Sequence, residues 1–306
     1  MPRAYKETPL PEISLEQFLA NQEGWFACGE HRMNYIGRSA AEPLSPSRPA
    51  VVFVHGLMGY SFSWRHNLEA FAHERDVFAV DLLGIGRSER PPAADYGMGA
   101  AASRVLSFLR SLGCPRVDLV GTSHGGAIAM LAAAEDRLSS QPLIRRLVLV
   151  DPANPFMRNA RFRLAFFRTA LGRLVLRQVI ARSELLLARS MGRMYADESR
   201  MTQEMRAGYE LNLRDASSYE YALAVIRTWK EDMRQLRAAL PSIADVPTLL
   251  LWGEQDHVVS PASGLQLQRH LRQARYQTMP GVGHMPYEEA PEQFNRAVLE
   301  FLDSED

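Results

Sequence analysis

Cysteine, lysine and long apolar runs are scarce in this chain, and each shortage closes off a class of explanation. Cys28 and Cys114 are the only cysteines among 306 residues. Two cysteines in a chain this long build no disulfide scaffold, and neither lies in a metal-ligand spacing. Lysine occurs twice, at Lys6 and Lys230; the rest of the positive charge is arginine. Lys plus Arg equals Asp plus Glu at 35 each, so no overall field favours nucleic acid. No apolar stretch reaches the ~20 residues a membrane-spanning helix needs. The N-terminus, Met1-Pro-Arg-Ala-Tyr-Lys-Glu-Thr-Pro9, has no charged-then-apolar leader pattern. What remains, 46% hydrophobic and 23% charged residues, is the composition of a globular protein with ample material for a core. The expectation is a reduced, soluble, cytoplasmic chain with no membrane span and no nucleic-acid partner.

The stretch that organises the chain runs from Val117 to Ala134. It opens with an apolar run that reads as a buried strand and closes with an Ala-rich segment of high helix propensity. Gly121, Ser123 and Gly125 between them fill a Gly-x-Ser-x-Gly pattern. Alone, that pattern arises by chance in about one chain in ten of this length. Between a strand and a helix it carries chemistry. A nucleophile on a tight strand-to-helix turn sits in a strained backbone and needs small neighbours. Gly121, Gly125 and Gly126 supply them. The following helix aims its first N–H groups at the place where negative charge would develop.

Around that stretch the chain alternates. A hairpin is expected over 25–36, broken near Gly29. The runs 50–54, 77–80, 117–120 and 146–150 read as strands covered on both faces, with helices over 61–72, 99–112 and after Ser123. A short helix is also expected after Ser14. Such alternation specifies a mostly parallel, doubly wound α/β sheet, in which ligands bind at the carboxyl ends of the strands. The rhythm stops after Pro152. From 153 to 240 the pattern is helical and Arg-rich, with Phe162, Phe166, Phe167, Leu171 and Leu174 at helical spacing, then Tyr219, Leu223, Ile226 and Trp229. Strand and helix resume with 247–252, 261–271, 275–279 and 291–302. The expected organisation is therefore a core from 1–152 and 241–306 with a helical insertion at 153–240.

A serine hydroxyl needs a base, and the base needs a carboxylate to fix its tautomer and stabilise its cation. His284, in Gly281-Val-Gly-His284, directly follows the last expected strand. Three carboxylates compete for the third place. Asp256 follows the strand 247–252, Asp151 ends the strand 146–150, and Glu254 is a weaker rival.

These motifs together resemble the α/β-hydrolase superfamily: His55-Gly56, Asp81-Leu-Leu-Gly-Ile-Gly-Arg-Ser88, Gly121-Thr-Ser-His-Gly-Gly126, Leu251-Trp-Gly-Glu-Gln-Asp256 and Gly281-Val-Gly-His284 follow one another in that family's order. The resemblance implies Ser123 as nucleophile, His284 as base and Asp256 as acid, with Asp151 as the alternative acid used by a minority of members. It implies an oxyanion hole from the backbone N–H groups of Leu57 and His124. His55, Asp81 and Arg87 are expected to be structural. The insertion falls where the family carries a cap, and Met58, Phe156, Met157, Phe162, Phe166 and Trp229 are candidates to line the pocket beneath it. Serine at the elbow argues against epoxide hydrolase and haloalkane dehalogenase, which use a carboxylate there. The reaction implied is hydrolysis of a small-molecule carboxylic ester through an acyl-enzyme, with no cofactor and no metal. Cleavage of a C–C bond in a ring-cleavage diketone, acyl transfer or perhydrolysis on the same triad, and a slow-turnover ligand receptor are the other readings.

Overall fold

The run Ala50-Val-Val-Phe-Val54 has no polar face, and its strand is buried at every position. Its side chains alternate between two cores: Val52 and Val54 pack in one, Val51 and Phe53 in the other. The same division holds for Leu147 and Leu149 against Val148 and Val150. A strand with period 2 and apolar residues throughout can only sit in a sheet covered on both sides. The computed structural model, which describes residues 18, 23–38, 48–73, 75–157, 169–175, 191–213 and 215–304, has that sheet. Its strands are β1 (Glu23–Cys28), β2 (His31–Arg38), β3 (Ala50–Val54), β4 (Val77–Val80), β5 (Val117–Thr122), β6 (Ile144–Val150), β7 (Thr248–Gly253) and β8 (Ala274–Met279).

The spatial order is β1-β2-β4-β3-β5-β6-β7-β8. The β1–β2 hairpin and the β2–β4 pair are antiparallel; every later pair is parallel. β3 and β5 are therefore central neighbours, and the loops after both strands open on one edge. Helices α1 (Leu68–Ala72), α2 (Met98–Ser111) and α3 (Ser123–Asp136) follow in the first half of the chain. One core holds Met98, Val105 and Leu109 of α2 and Ile128 and Ala132 of α3. The other holds Phe71 of α1 and Phe294, Val298, Phe301 and Leu302 near the C-terminus. Those last four fall at i, i+4, i+7 and i+8, the stripe of an amphipathic helix.

Between β6 and β7 the described residues contain no strand; they hold α4 (Ala170–Val175), a 3-10 turn at Glu198–Arg200, α5 (Gln203–Leu213), α6 (Ala216–Ala239) and a second 3-10 turn at Leu240–Ile243. Asp215 caps α6 by accepting from Ser217 N at 2.9 Å. On α6, Tyr219, Leu223 and Ile226 are buried as their spacing requires. Leu171 and Leu174 are instead 63% and 55% exposed; their spacing marks a helix face that stays open among the described residues. The chain then closes with α7 (Pro261–Gln268), α8 (Pro286–Glu289) and α9 (Pro291–Asp303). The one helix expected over 61–72 is two pieces, a 3-10 turn at Ser61–Trp64 and α1. The reason lies in what the break carries: Arg65 turns inward there to a buried carboxylate. The helix expected after Ser14 lies outside the described residues apart from Phe18, which is buried against Tyr60 and Phe62.

That inward turn joins the β6–β7 helices to the sheet. Arg65 donates to Glu288 Oε1 at 3.0 Å and stacks 4.2 Å over the Phe62 ring. Tyr195 donates to Glu288 Oε2 at 2.7 Å, and Tyr209 of α5 bonds to Glu288 Oε1. A buried ion pair tolerates this position only because its remaining lone pairs are satisfied. Glu288→Gln would leave Arg65 buried without its counter-charge. Urea denaturation of that variant is expected to show a loss of about 3 kcal/mol, with faster proteolysis of 191–213 than in the parent chain.

Candidate active site

β5 ends at Thr122 and α3 begins at Ser123 with no residue between them. The turn is made by Ser123 itself, whose φ is +51°. A side-chain-bearing residue in that region is strained by roughly 1 kcal/mol or more. The surroundings enforce it. A Cβ at Gly125 would fall 2.3 Å from the His55 carbonyl oxygen, so only glycine lets α3 start so close to β3. On the other side, a Cβ at Gly56 would lie 3.3 Å from Ser123 Cβ. The Gly56 backbone thus runs alongside the serine.

His55 and Asp81 hold this edge in shape. His55 donates from Nδ1 to Gly56 O at 2.8 Å and accepts Leu82 N at Nε2, 3.0 Å. Both nitrogens are used in the neutral form, and burial pushes its pKa down to about 4. Asp81 accepts from Ser61 N at 2.6 Å and Arg87 N at 2.8 Å. Desolvation raises its pKa to about 6 against those two bonds. Both residues face the backbone and match the structural role expected of them; Arg87 contributes its backbone N–H to the same turn.

His284 and Asp256 come together from the loops after β8 and β7. His284 Nδ1 lies 2.7 Å from Asp256 Oδ2, and both side chains are buried. The other carboxylate oxygen of Asp256 accepts from Val258 N at 2.6 Å and Val259 N at 3.0 Å. The imidazole thus meets Asp256 through Nδ1, which leaves the far ring nitrogen, Nε2, as the acceptor for other chemistry. Glu254, the weaker rival for the acid, is exposed.

The flanking glycines of His284 suggest a loop free to swing; the structure clamps it instead. His284 N donates to Met194 O at 2.6 Å. Gly283 N donates to Glu289 Oε1 at 2.7 Å, while Ala196 N donates to Glu289 Oε2 at 2.9 Å. One carboxylate therefore ties the histidine loop to the segment between β6 and β7. Gly253 permits the approach, since a Cβ there would sit 1.8 Å from Gly283 O. Glu289 and the 194–196 backbone were invisible in the sequence. The only signal was an acidic pair, Glu288-Glu289, just beyond the histidine, and nothing local says that it points inward.

Asp151, the alternative acid, also reaches this place. It ends β6 with φ +44°, and its Oδ1 accepts Gly253 N at 3.0 Å. Single ligating atoms of Asp151, Asp256 and His284 lie within 4.8 Å of one another. The imidazole bond nonetheless goes to Asp256.

Of the pocket candidates, Trp229 lies parallel to the His124 ring at 6.3 Å between centroids. Met58 adopts φ +65° and its carbonyl accepts from Asn212 Nδ2 at 3.3 Å. Met157 is half-buried against the core. Phe156 stacks on His270 at 4.8 Å with Arg237 5.5 Å over its ring. Phe162 and Phe166 lie outside the described residues. His124 is fully buried, and neither ring nitrogen has a hydrogen-bond partner among the described residues. Desolvation, with His55 nearby, drives its pKa down to about 3.

Residues 49–291 match the sequence profile of the family described as alpha/beta hydrolase fold. An uncharacterized hydrolase of Bacillus subtilis (strain 168), YugF, is 25% identical over 260 residues, 84% of this chain and 91% of that one. The sn-1-specific diacylglycerol lipase ABHD11 of Mus musculus is 28% identical over 269 residues, 83% of this chain and 81% of that one. A solved membrane phospholipase A, described as a bacterial virulence factor, superposes with a TM-score of 0.73 at 26% identity, covering 92% of this chain and 86% of that one.

Two measurements test this geometry. Gly253→Ala is expected to lower stability by about 1–3 kcal/mol in urea, because the methyl meets backbone rather than a side chain that can move. His124 refuses a proton that the unfolded chain accepts below pH 6.5. Its folded pKa is depressed, so its contribution is complete above pH 6.5 and is lost as pH falls towards 3. His124→Phe is therefore expected to remove about 2 kcal/mol of the stability difference between pH 7 and pH 4.5.

Proposed function

The chain belongs to the alpha/beta hydrolase fold family, and from that premise we propose that it is a serine hydrolase cleaving carboxylic esters of small molecules. The observation that carries this reading is a hydroxyl-bearing residue, Ser123, on the strained β5–α3 turn. Relatives that open epoxides or displace halides need a carboxylate in that position; a hydroxyl suits acyl transfer.

Ser123 Oγ attacks the ester carbonyl and passes its proton to His284 Nε2. Asp256 accepts from His284 Nδ1–H, fixing the tautomer and balancing the imidazolium. Charge moves to the carbonyl oxygen, where the N–H groups of His124 and Leu57 receive it; one such donor is worth about 10²–10³ in rate. His284 returns the proton to the departing alcohol. Water then enters, loses a proton to His284 and attacks the acyl carbon; His284 returns the proton to Ser123 Oγ as the carboxylic acid departs. No step calls for a cofactor or a metal. Residues 153–240 act as a cap that excludes water and shapes the acyl pocket, with Met58 and Trp229 at its border. The clamp on the His284 loop by Glu289 and Met194 supports this, because it makes the cap part of the base's own scaffold.

A fluorophosphonate probe tests the reading directly. Labelling of the parent chain, its loss in Ser123→Ala, and turnover of a short p-nitrophenyl ester are the expected results. Asp256→Asn should keep its fold and lose turnover by about 10⁴. Labelling without turnover would point to a receptor, and absence of labelling would overturn a serine nucleophile altogether.

A further inference from the structure

Asp151 is not absorbed by the mechanism above. It is fully buried, strained at φ +44°, and fixed by one oxygen to Gly253 N, while its Oδ2 meets no hydrogen-bond donor among the described residues. A buried carboxyl with one orphan oxygen demands an explanation. The groups that face it are Asp256, on the loop after β7, and Glu289, on α8. The phenols of Tyr276 on β8 and Tyr287 on α8 lie close enough for its charge to act on them. His284 completes the surroundings. Apart from that imidazole, every one of these is acidic or neutral. Two ionised carboxylates cannot share so small a dry space, so one of them holds a proton. Asp256 already accepts two backbone N–H bonds and the imidazole, so its oxygens are committed as acceptors. The proton therefore belongs to Asp151. Burial and the neighbouring Asp256 charge raise its pKa well above the ordinary carboxylate range, in agreement with that assignment.

We infer that Asp151 is a positioning residue for the triad acid: as a neutral carboxyl its Oδ2–H donates to Asp256, supplying the last hydrogen bond to that carboxylate and setting how strongly it supports charge on His284. This rests on the serine-hydrolase reading. It also accounts for both acidic strand ends being occupied in one chain, with one ionised and one protonated. The strained backbone at 151 is the cost of aiming the carboxyl across the end of β7.

The pH dependence of kcat/KM on a p-nitrophenyl ester tests it, with Asp151→Asn and Asp151→Gly compared with the parent chain. Asn keeps an acceptor for Gly253 N and a donor for Asp256, and tolerates positive φ. Its profile is expected to overlay that of the parent within about threefold. Gly relieves the backbone while removing the donor. Asp256 then supports the imidazolium more strongly, and the acidic limb is expected to move to higher pH by about one unit, with KM unchanged. Urea midpoints establish that each variant is folded; should Gly fail to fold, the Asn profile decides alone. If Asn loses as much activity as Asp256→Asn, Asp151 works as a carboxylate and the inference fails. An unshifted Gly profile also overturns it, leaving Asp151 purely structural. Either failure leaves the serine-hydrolase reading intact, which is tested separately by labelling and turnover of the parent chain and their loss in Ser123→Ala.

Discussion

The 2.7 Å contact between His284 and Asp256 depends on how closely two loops can approach. One leaves β7 at Gly253 and the other follows β8 through Gly283. With any side chain at 253 the carbonyl of Gly283 would be displaced, and the imidazole with it. The sheet sets up the approach by pairing β7 with β8 in parallel, up to Gly253 opposite Met279. Both loops then leave the same edge, beyond which β5 also ends. A parallel sheet concentrates its loops in this way, and the chemistry collects where they do.

Holding that contact requires an unusual amount of buried charge. Glu288 and Glu289 are consecutive, and they perform different tasks. Glu288 faces Arg65 and two tyrosines, joining the β6–β7 helices to the sheet. Glu289 turns to the backbone of 196 and 283 and holds the histidine loop. A helix as short as α8 can present neighbouring side chains to different partners because successive residues are rotated by about 100°. The segment between β6 and β7 is therefore coupled twice to the candidate site, and a movement of 194–196 would disturb His284 directly.

Much of this was legible in the residues. Apolar runs with no polar face, such as Ala50–Val54 and Leu147–Val150, identify strands covered on both sides, because nothing else satisfies them. The glycines around Ser123 specify a tight strand-to-helix turn on steric grounds alone. The break at Arg65–Asn67 was not legible, since a pattern with helical spacing cannot announce that one arginine turns inward to a carboxylate 223 positions later. The exposed Leu171 and Leu174 show the converse failure. Periodicity identifies a face, and only packing says whether anything covers it.

Chain order alone set the fold, the candidate nucleophile and the candidate base, because strand alternation and glycine placement are local properties carried by neighbouring residues. It favoured Asp256 over Asp151 only through the family resemblance, since both follow strands and both carry the same group. Tertiary structure separates them through partners contributed by distant loops. Val258 N, Val259 N and the imidazole converge on Asp256, while Asp151 receives a single N–H. The electrostatics of a carboxyl depend on what surrounds it in space, and that surrounding exists only once the chain has folded.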